Sequence, residues 1–511
     1  MAVPPRRDRR RPRRRGRGNG RVHILTSPEG GDDVLDETPD SPDWWLLTLG
    51  RKLRKREGVL DEWWRYYRGR PPLPELPKNA EQAFLDFQRK SRTNVCGLIA
   101  NASVHRLNAL GVTGPDGEPD DRASRWWQQN RLDSRQKLVW RVAMSQSVGY
   151  MLVGGHPTRT EDNGRPSPLI TAEHPRECIV WTDPETGEPY VGLKAWRDDV
   201  DGYGYARVFF DDVSFPYKTK ERCGRRLPWG PDSWEWVGDD QGEPHDLGML
   251  PLVEFARMPD LGEDPEPEFA GVLDIQDRLN MGILNRMATS RNAGFPQRWI
   301  KGHRFAKRKD PATGITTVEQ PFIPGPGVVW ASEGENAQFG QLSAADLSGF
   351  LKEHESDVRD MLILSQTPAY YYAGQLVNIA ADTIGALDIL HVAKIREHIA
   401  AFGEGLESVM SLCAAQAGVP EDYTEAEVRW ANPAHASLAV KADAATKLKS
   451  IGYPLDVVAE EMGETPAMVR RITAGAASQA LLAASLLPAP GAAPTAGNLP
   501  DDNTTGGALD G

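Results

Sequence analysis

Apolar and basic positions interleave over residues 44–69 (WWLLTLGRKLRKREGVLDEWWRYYRG), which predicts a helix that the proline-rich PPLPELP at 71–77 ends. Helical periodicity returns from about Glu81 to Leu110 and from Arg122 to Gly149, on either side of the turn-rich GVTGPDGEPDD. Between Tyr150 and Met258 the period changes. Short β-rich runs (YMLVGG, PLIT, ECIVW, YVGLKAW, ARVFF, VSFPYK) alternate with turn clusters, and ECIVW–TDPETGE–PYVGLKAW reads as a hairpin. This predicts an antiparallel β region of about 110 residues, with Trp181, Trp196, Trp229, Trp234 and Trp236 as core and hairpin packing.

Helices return from Pro265. Over 266–292, Phe269, Val272, Leu273, Leu279, Ile283 and Met287 form one stripe, with Asp274 and Arg278 at i,i+4 beside it. A second amphipathic helix over 347–367 carries Phe350, Leu351, Val358 and Leu362, with Glu355 and Arg359 paired on the outside. Lengths of roughly 40 Å and 31 Å follow at about 1.5 Å per residue. Between them lies an insert of about 54 residues that reads as loop and strands and holds Arg298, Lys301, Arg304, Lys307, Arg308 and Lys309. After Pro368 comes YYYAGQLVNIAA, then a helical run from about Asp382 to Ala417, roughly 54 Å if unbroken, with Gly403 and Gly405 as possible kinks. A strand at 427–430 (EVRW) and helices at 436–450 and 454–461 follow, and Thr465 caps a last helix with Pro466 at its first position. The fold class is α+β.

Composition sets limits on this outline. The 511 residues allow three or four domains, and no apolar run is long enough to span a membrane. Cys96, Cys178, Cys223 and Cys413 lie far apart without metal-type spacing, which argues against a zinc ribbon or a disulfide scaffold and for a cytoplasmic-type chain. The formal charge is −12, but residues 1–21 hold ten Arg and one Asp, so the rest carries −21, the difference between −12 and +9. An arm this basic and this poor in apolar groups does not fold alone. It is read as a solvated tail, as sequence upstream of the natural start, or as a nucleic-acid contact acting through counterion release. From Ala474 onward Ala, Gly, Pro, Ser and Thr dominate, which predicts a second tail.

Enzyme chemistry finds little support. There is no GxxxxGK[ST] phosphate loop, no GxSxG elbow and no HExxH. His391 and His398 share a helix face seven residues apart, but no further ligands are evident, so surface or interface histidines are expected. Ser134 and Lys137 match an SxxK pattern without its partner motifs. Asp211 and Asp212 read as a solvated hairpin end. The segment PLDVVAEEMGETPAMVRRI (454–472) resembles a helix-turn-helix, but its acidic first helix favours a packing module. No catalytic residue, metal or cofactor is predicted.

Five stretches, in order, resemble the phage portal protein family, in the branch of tailed actinobacterial phages: DEWWRYYRGRPPLPELP; NVCGLIANASVHRLNALGV with WWQQNRLDSRQ; HDLGMLPLVEFARMP; SQTPAYYYAGQLVNIAADTIGALD; and VRWANPAHASLAVKADAATKL. The resemblance spans about residues 45–475. Two departures stand out: the arginine arm, and Ile379-Ala380 where the family usually has Pro-Ser.

The resemblance implies a ring of about twelve subunits at one capsid vertex of a virion, assembled in the host cytoplasm. Double-stranded DNA is packaged and later ejected through such a ring. In its terms 1–40 is a disordered arm, 41–265 an α/β wing, 266–292 and 347–367 the two stem helices, and 293–346 a small α/β clip. Residues 368–380 form a channel loop, 381–474 a long kinked helix and helical crown, and 475–511 a disordered tail. Phe269, Leu273, Leu279, Ile283, Phe350, Leu351, Val358 and Leu362 become stem packing. Tyr370, Tyr371, Tyr372, Gln375 and Asn378 become candidates to face DNA, with interface packing as the alternative. Arg298, Lys301, Arg304, Lys307, Arg308 and Lys309 become candidates to meet an adaptor or the packaging motor, with a solvated loop as the alternative. Implied partners are copies of itself, DNA, the terminase large subunit, a head–tail adaptor, and major capsid and scaffolding proteins; no membrane is implied. An adaptor or minor capsid protein without a channel is the second reading, and a DNA-processing enzyme the third.

Overall fold

Ser41 starts the first helix. Its hydroxyl accepts from the Trp44 amide at 3.1 Å and Pro42 follows, so α1 (Pro42–Tyr67) begins where two helix-start preferences coincide. The computed structural model describes residues 35–485 apart from 76–81, 115–119, 239–240, 258–261, 295–297, 303–306, 310, 312–313, 315, 319–335, 342–345, 374–380, 420–422, 424–425 and 435–437. The described residues begin at Leu35, inside the segment expected as an arm over 1–40. Leu35 is buried, Asp36 N donates to Asp43 Oδ2 at 2.8 Å, and Asp43 Oδ1 accepts from the Tyr217 hydroxyl at 2.6 Å. These bonds hold the segment against the helix start.

α2 (Gln82–Lys90), α3 (Val95–Arg106), the short strand β1 (Ala109–Val112), α4 (Asp121–Gln129) and α5 (Leu132–Gln146) follow. Each of the two long helices expected here breaks once, at an asparagine. Asn94 caps α3 by accepting from Gly97 N at 2.8 Å. Asn130 donates to the Trp126 and Pro168 carbonyls and accepts from Ile170 N, and Arg131 beyond it is left-handed at φ 55°. Short amide side chains compete for backbone partners in this way and end helices.

The β region has two sheets. β2 (Val148–Thr160), β3 (Pro166–Glu173) and β10 (Leu252–Ala256) form one, in the order β10–β2–β3. β4 (Cys178–Thr182), β5 (Pro189–Arg197), β6 (Gly204–Phe209), β7 (Val213–Thr219) and β8 (Trp234–Trp236) form the other in sequence order, with β9 (Glu243–Pro244) paired to β7. Every pairing is antiparallel, and β4–β5 is the predicted hairpin, with Ile179 opposite Leu193. Period-2 alternation puts Val191, Leu193, Val208, Phe215 and Tyr217 in a core under Leu46, Leu49 and Leu53 of α1, closed by Trp229 and Trp234. Trp196 lies on the opposite face, stacked on Tyr205 with centroids 5.8 Å apart.

A larger core joins the end of α1, α3, α5 and the three-stranded sheet to the helices that follow. A 3-10 turn over Ala270–Val272 delays α6 (Leu273–Gly294), which starts later than the 266 expected. The insert has β11 (Arg298–Lys301), β12 (Lys307–Lys309), β13 (Thr316–Val318) and β14 (Gln338–Gln341), paired β11–β14 and β12–β13. Among the described residues of the insert these four strands are the regular elements. α7 (Ser348–Leu364) returns against α6. Phe269, Leu279, Val358 and Leu362 are buried, Leu273, Ile283 and Phe350 half-buried, and Leu351 exposed. Arg278 does not pair with Asp274; its Nη2 bridges to Asp357 of α7 at 2.7 Å, so the charge joins the two helices.

α8 (Tyr370–Ala373) is one turn. α9 (Ala381–Ala417) is a single 37-residue helix that continues through Gly403 and Gly405. At Gly405 a side chain is excluded, because a Cβ would sit 2.6 Å from the Phe255 ring. β15 (Val428–Trp430) then pairs with β1. The chain divides into two units between His435 and Ala436. The second holds α10 (Leu438–Ser450), α11 (Leu455–Glu461) and α12 (Pro466–Ser485), where Thr465 Oγ1 accepts from Met468 N at 3.3 Å. α12 continues past 474, where the tail was expected, because Ala476, Ala477, Ala480, Ala483 and Ala484 are the best helix formers.

Candidate functional site

The loop predicted over 368–380 starts as the α8 turn, and three of its five candidates are visible there; Gln375 and Asn378 lie outside the described residues. Tyr370 is half-buried, and its hydroxyl donates to Asp388 Oδ1 of α9 at 2.6 Å. Arg106, at the end of α3, puts Nη2 2.9 Å from Asp388 Oδ2, 3.1 Å from the Tyr370 hydroxyl and 2.8 Å from the Tyr371 hydroxyl. Its guanidinium also lies 5.8 Å from the Tyr371 ring centroid. Burial alone would lower the Arg106 pKa, but Asp388 and Tyr371 outweigh it and hold the pKa above its ordinary value. Burial and the Asp388 carboxylate push the Tyr370 phenol up. Tyr372 reaches the other way, its hydroxyl 2.9 Å from His354 Nε2 on α7. One face of the turn is thus held by α3 and α9 and the other by α7, while Tyr371 and Tyr372 keep part of their rings exposed.

The chain reaches this turn through the end of α7. Gln366 is left-handed at φ 50°, its amide donates to the Ile363 carbonyl, and the Thr367 amide donates to the Leu362 carbonyl at 2.8 Å. This is a Schellman cap with glutamine where glycine is usual. Two carbonyls freed by the cap point at α9. His391 Nδ1 donates to Gln366 O at 3.1 Å, which fixes the tautomer, because a carbonyl can only accept. Lys394 Nζ donates to Ser365 O at 2.7 Å.

Beneath the cap lies a buried charge cluster. Lys394 Nζ is 2.8 Å from Glu268 Oε2, and His398 Nε2 is 2.5 Å from Glu268 Oε1. Glu268 stands just before α6 and donates its own amide to Met144 O at the end of α5. Burial would raise its pKa, but the His398 bond and the Lys394 charge prevail and hold the carboxyl below the usual carboxylate range. His391 has the opposite balance: burial, with Lys394 and Arg106 nearby, lowers it to about 4. Four elements therefore meet at one point: the end of α5, the start of α6, the end of α7 and the middle of α9.

His391 and His398 are buried inside the chain, where surface or interface histidines were expected from sequence. The missing partner was Glu268, which no local pattern marks. The signal available was the alignment of His391, Lys394 and His398 with Ile395 and Phe402 on the buried side of one helix. Polar groups on a buried stripe need partners. Arg106 and Asp388 were likewise not singled out.

Of the insert's basic candidates, Lys301 is exposed at the end of β11. Arg298 lies in β11, Lys307, Arg308 and Lys309 lie in β12, and Arg304 lies outside the described residues. The SxxK match dissolves: Lys137 Nζ caps α3 through the Val104 and Leu107 carbonyls, and the Ser134 hydroxyl donates to Arg131 O. Asp211 and Asp212 are exposed, and Asp212 accepts from Gly248 N at 2.8 Å. Among the described residues no helix is long and apolar enough to cross a membrane, and no group of three or more His, Cys, Asp and Glu is placed to hold a metal.

The sequence model of the family described as "Phage portal protein, SPP1 Gp6-like" matches residues 55–453. The portal protein of Mycobacterium phage D29 is 27% identical over 364 residues, covering 68% of this chain and 71% of that one. The portal protein of Mycobacterium phage L5 is 25% identical over 351 residues, covering 66% and 68%. Among solved structures, a chain of "Neck of native GTA particle computed with C12 symmetry" aligns with TM-score 0.37 and 11% identity, covering 74% of this chain and 89% of that one.

Proposed function

Because the chain belongs to the SPP1 Gp6-like phage portal protein family, we propose that it is a structural subunit of a ring of about twelve copies at one capsid vertex. Double-stranded DNA enters and leaves the capsid through this ring. The observation that carries the reading is the α6–α7 pair, joined by Arg278 and Asp357 and bracketing a strand-built insert. In this assignment α6 and α7 are the stem and 293–346 the clip. Lys301 and the basic strand residues Arg298, Lys307, Arg308 and Lys309, together with Arg304, are the surface for the terminase large subunit before ejection and for a head–tail adaptor afterwards. Residues 41–265, the wing, face the major capsid and scaffolding proteins.

The channel-loop reading becomes more specific. Tyr370 is the anchor, tied to Asp388 and Arg106, while Tyr371, Tyr372, Gln375 and Asn378 are the candidates to touch DNA. None of the five carries a formal charge. A channel surface without Lys or Arg avoids the salt-sensitive affinity that phosphate contacts add, and so lets DNA slide. The chain itself catalyses nothing in this reading; the motor is a separate ATPase.

Native mass spectrometry with negative-stain imaging of the purified protein tests the proposal. Twelve chains of 56.4 kDa make about 677 kDa, and a closed symmetric ring with a central hole is the expected form. A monomer or dimer that stays so at high concentration and with scaffolding protein present would sink the portal reading in favour of an adaptor without a channel.

A further inference from the structure

Within residues 41–265, one cavity of about 380 Å³ is lined by cations from two separate parts of the chain. Gln129, Asn130 and Arg131 form the α4–α5 corner, Arg135 stands one turn into α5, and His156 and Arg159 come from β2. They arrive because β2 loses its regular pairing between Gly155 and Thr160, and the excursion swings toward the corner. Asn130 is fully engaged with backbone and forms the floor.

The charge balance is unusual for a chain whose body carries −21. Among the described residues, none of the three guanidinium groups has a carboxylate within ion-pair distance. The nearest acids in sequence are engaged elsewhere. Asp133 accepts from Trp127 Nε1 at 2.7 Å, and Glu161 accepts from Ser167 Oγ at 2.7 Å and Trp126 Nε1 at 3.4 Å. His156 Nδ1 accepts from the Thr158 and Arg159 amides at 3.1 and 3.0 Å, so the ring proton sits on Nε2 and is free to donate. No side chain caps the start of α5, whose amides add partial positive charge.

Two of the arginines are held in place by backbone. Arg135 Nη1 donates to the Ile170 carbonyl at 2.9 Å and Arg159 Nη1 to the Gln129 carbonyl at 3.4 Å. An occupant that suits the remaining guanidinium donors carries several acceptor oxygens. Three positive charges favour a ligand with more than one negative charge over a single carboxylate. We propose that this corner is a phosphate-binding site, taking either a free phosphate ester or a phosphate of a nucleic-acid strand. The proposal goes beyond the portal reading and does not depend on it.

The test titrates the full-length protein with inorganic phosphate at constant ionic strength, by calorimetry, against Arg131→Gln and Arg131→Gln/Arg159→Gln. Saturable binding is expected in the wild type, weakened about tenfold or more in the double variant. Arg131 is exposed, so the single variant keeps the test valid if the double variant fails to fold. If a short DNA duplex displaces the phosphate, the physiological source is nucleic acid; if it does not, the source is a free phosphate ester, and either result supports the site. Three results would overturn it: no saturable phosphate binding by the wild type, equal binding by Arg131→Gln and the wild type, or displacement by polyglutamate in preference to DNA. The last would make the corner a contact for an acidic protein.

Discussion

Lys394 and Glu268 stand 126 positions apart in the chain and meet at 2.8 Å in the interior. Removing one partner of such a pair leaves an uncompensated buried charge, whereas removing both leaves none. Lys394→Met should therefore destabilise the subunit by about 3–5 kcal/mol. Adding Glu268→Leu to it should recover part of that loss. Denaturant unfolding of the wild type, both single variants and the double variant measures the coupling. Additive losses would show that the two groups act independently.

His391 adds a pH dependence whose sign follows from its position. Its folded pKa is about 4, below the ordinary value of 6.5, so the folded state refuses a proton that the unfolded chain accepts. The stabilisation is complete above pH 6.5 and is lost as pH falls from there toward 4. His174, also lowered to about 4 by burial, acts in the same window. His391→Gln keeps a donor for Gln366 O but does not titrate. Its stability should fall less steeply with acid over this range than that of the wild type, as read from thermal unfolding across a pH series.

Gln366 occupies a left-handed position that costs a non-glycine residue roughly 1–2 kcal/mol. Its side chain is exposed, so little contact is lost on replacement. Gln366→Gly should be neutral to stabilising by up to about 1 kcal/mol, because glycine's greater unfolded-state entropy offsets part of the relief. Gln366→Val, β-branched at the same φ, should lose about 1–2 kcal/mol. Equal stability of the two variants would show that the cap has relaxed to another conformation.

Gly403 and Gly405 look alike in sequence and should respond oppositely. At Gly405 an added Cβ meets the Phe255 ring at 2.6 Å, and that ring packs edge-to-face against both Trp140 and Phe402, which stack on each other. Gly405→Ala should destabilise by about 1–3 kcal/mol. At Gly403 the nearest atom is 3.8 Å away, so Gly403→Ala should gain up to about 1 kcal/mol of helix propensity. Paired denaturation curves distinguish the two.

How far the sequence revealed these features depended on whether each was local or distant in cause. α1, the β4–β5 hairpin, the EVRW strand and the two helices around the insert follow from periodicity and turn chemistry within a few residues, and they lie close to where the pattern places them. The breaks at Asn94 and Asn130 were missed because an asparagine ends a helix only when backbone partners stand near it, and for Asn130 two of these come from β3. The burial of Leu35 and the reach of α12 past residue 474 were not legible for a related reason. Composition describes average tendency, whereas Leu35 is ordered by one strand and one carboxylate, Asp43, and α12 by its alanines. Of the loop candidates, the tyrosines were evident but their holders, Arg106 and Asp388, were not. The Glu268 cluster and the arginine corner were hidden for the same reason: each joins residues from separate parts of the chain.

One consequence follows from the path of α1. Its first half is the roof of the core beneath the six-stranded sheet, and its last turn, with Tyr66 and Tyr67, belongs to the larger helical core. A rigid rod embedded at both ends prevents either core from melting alone, since opening one strips a wall from the other. The 26 residues of that helix make the two cores a single cooperative body, able to transmit a push on the six-stranded sheet to the helical core.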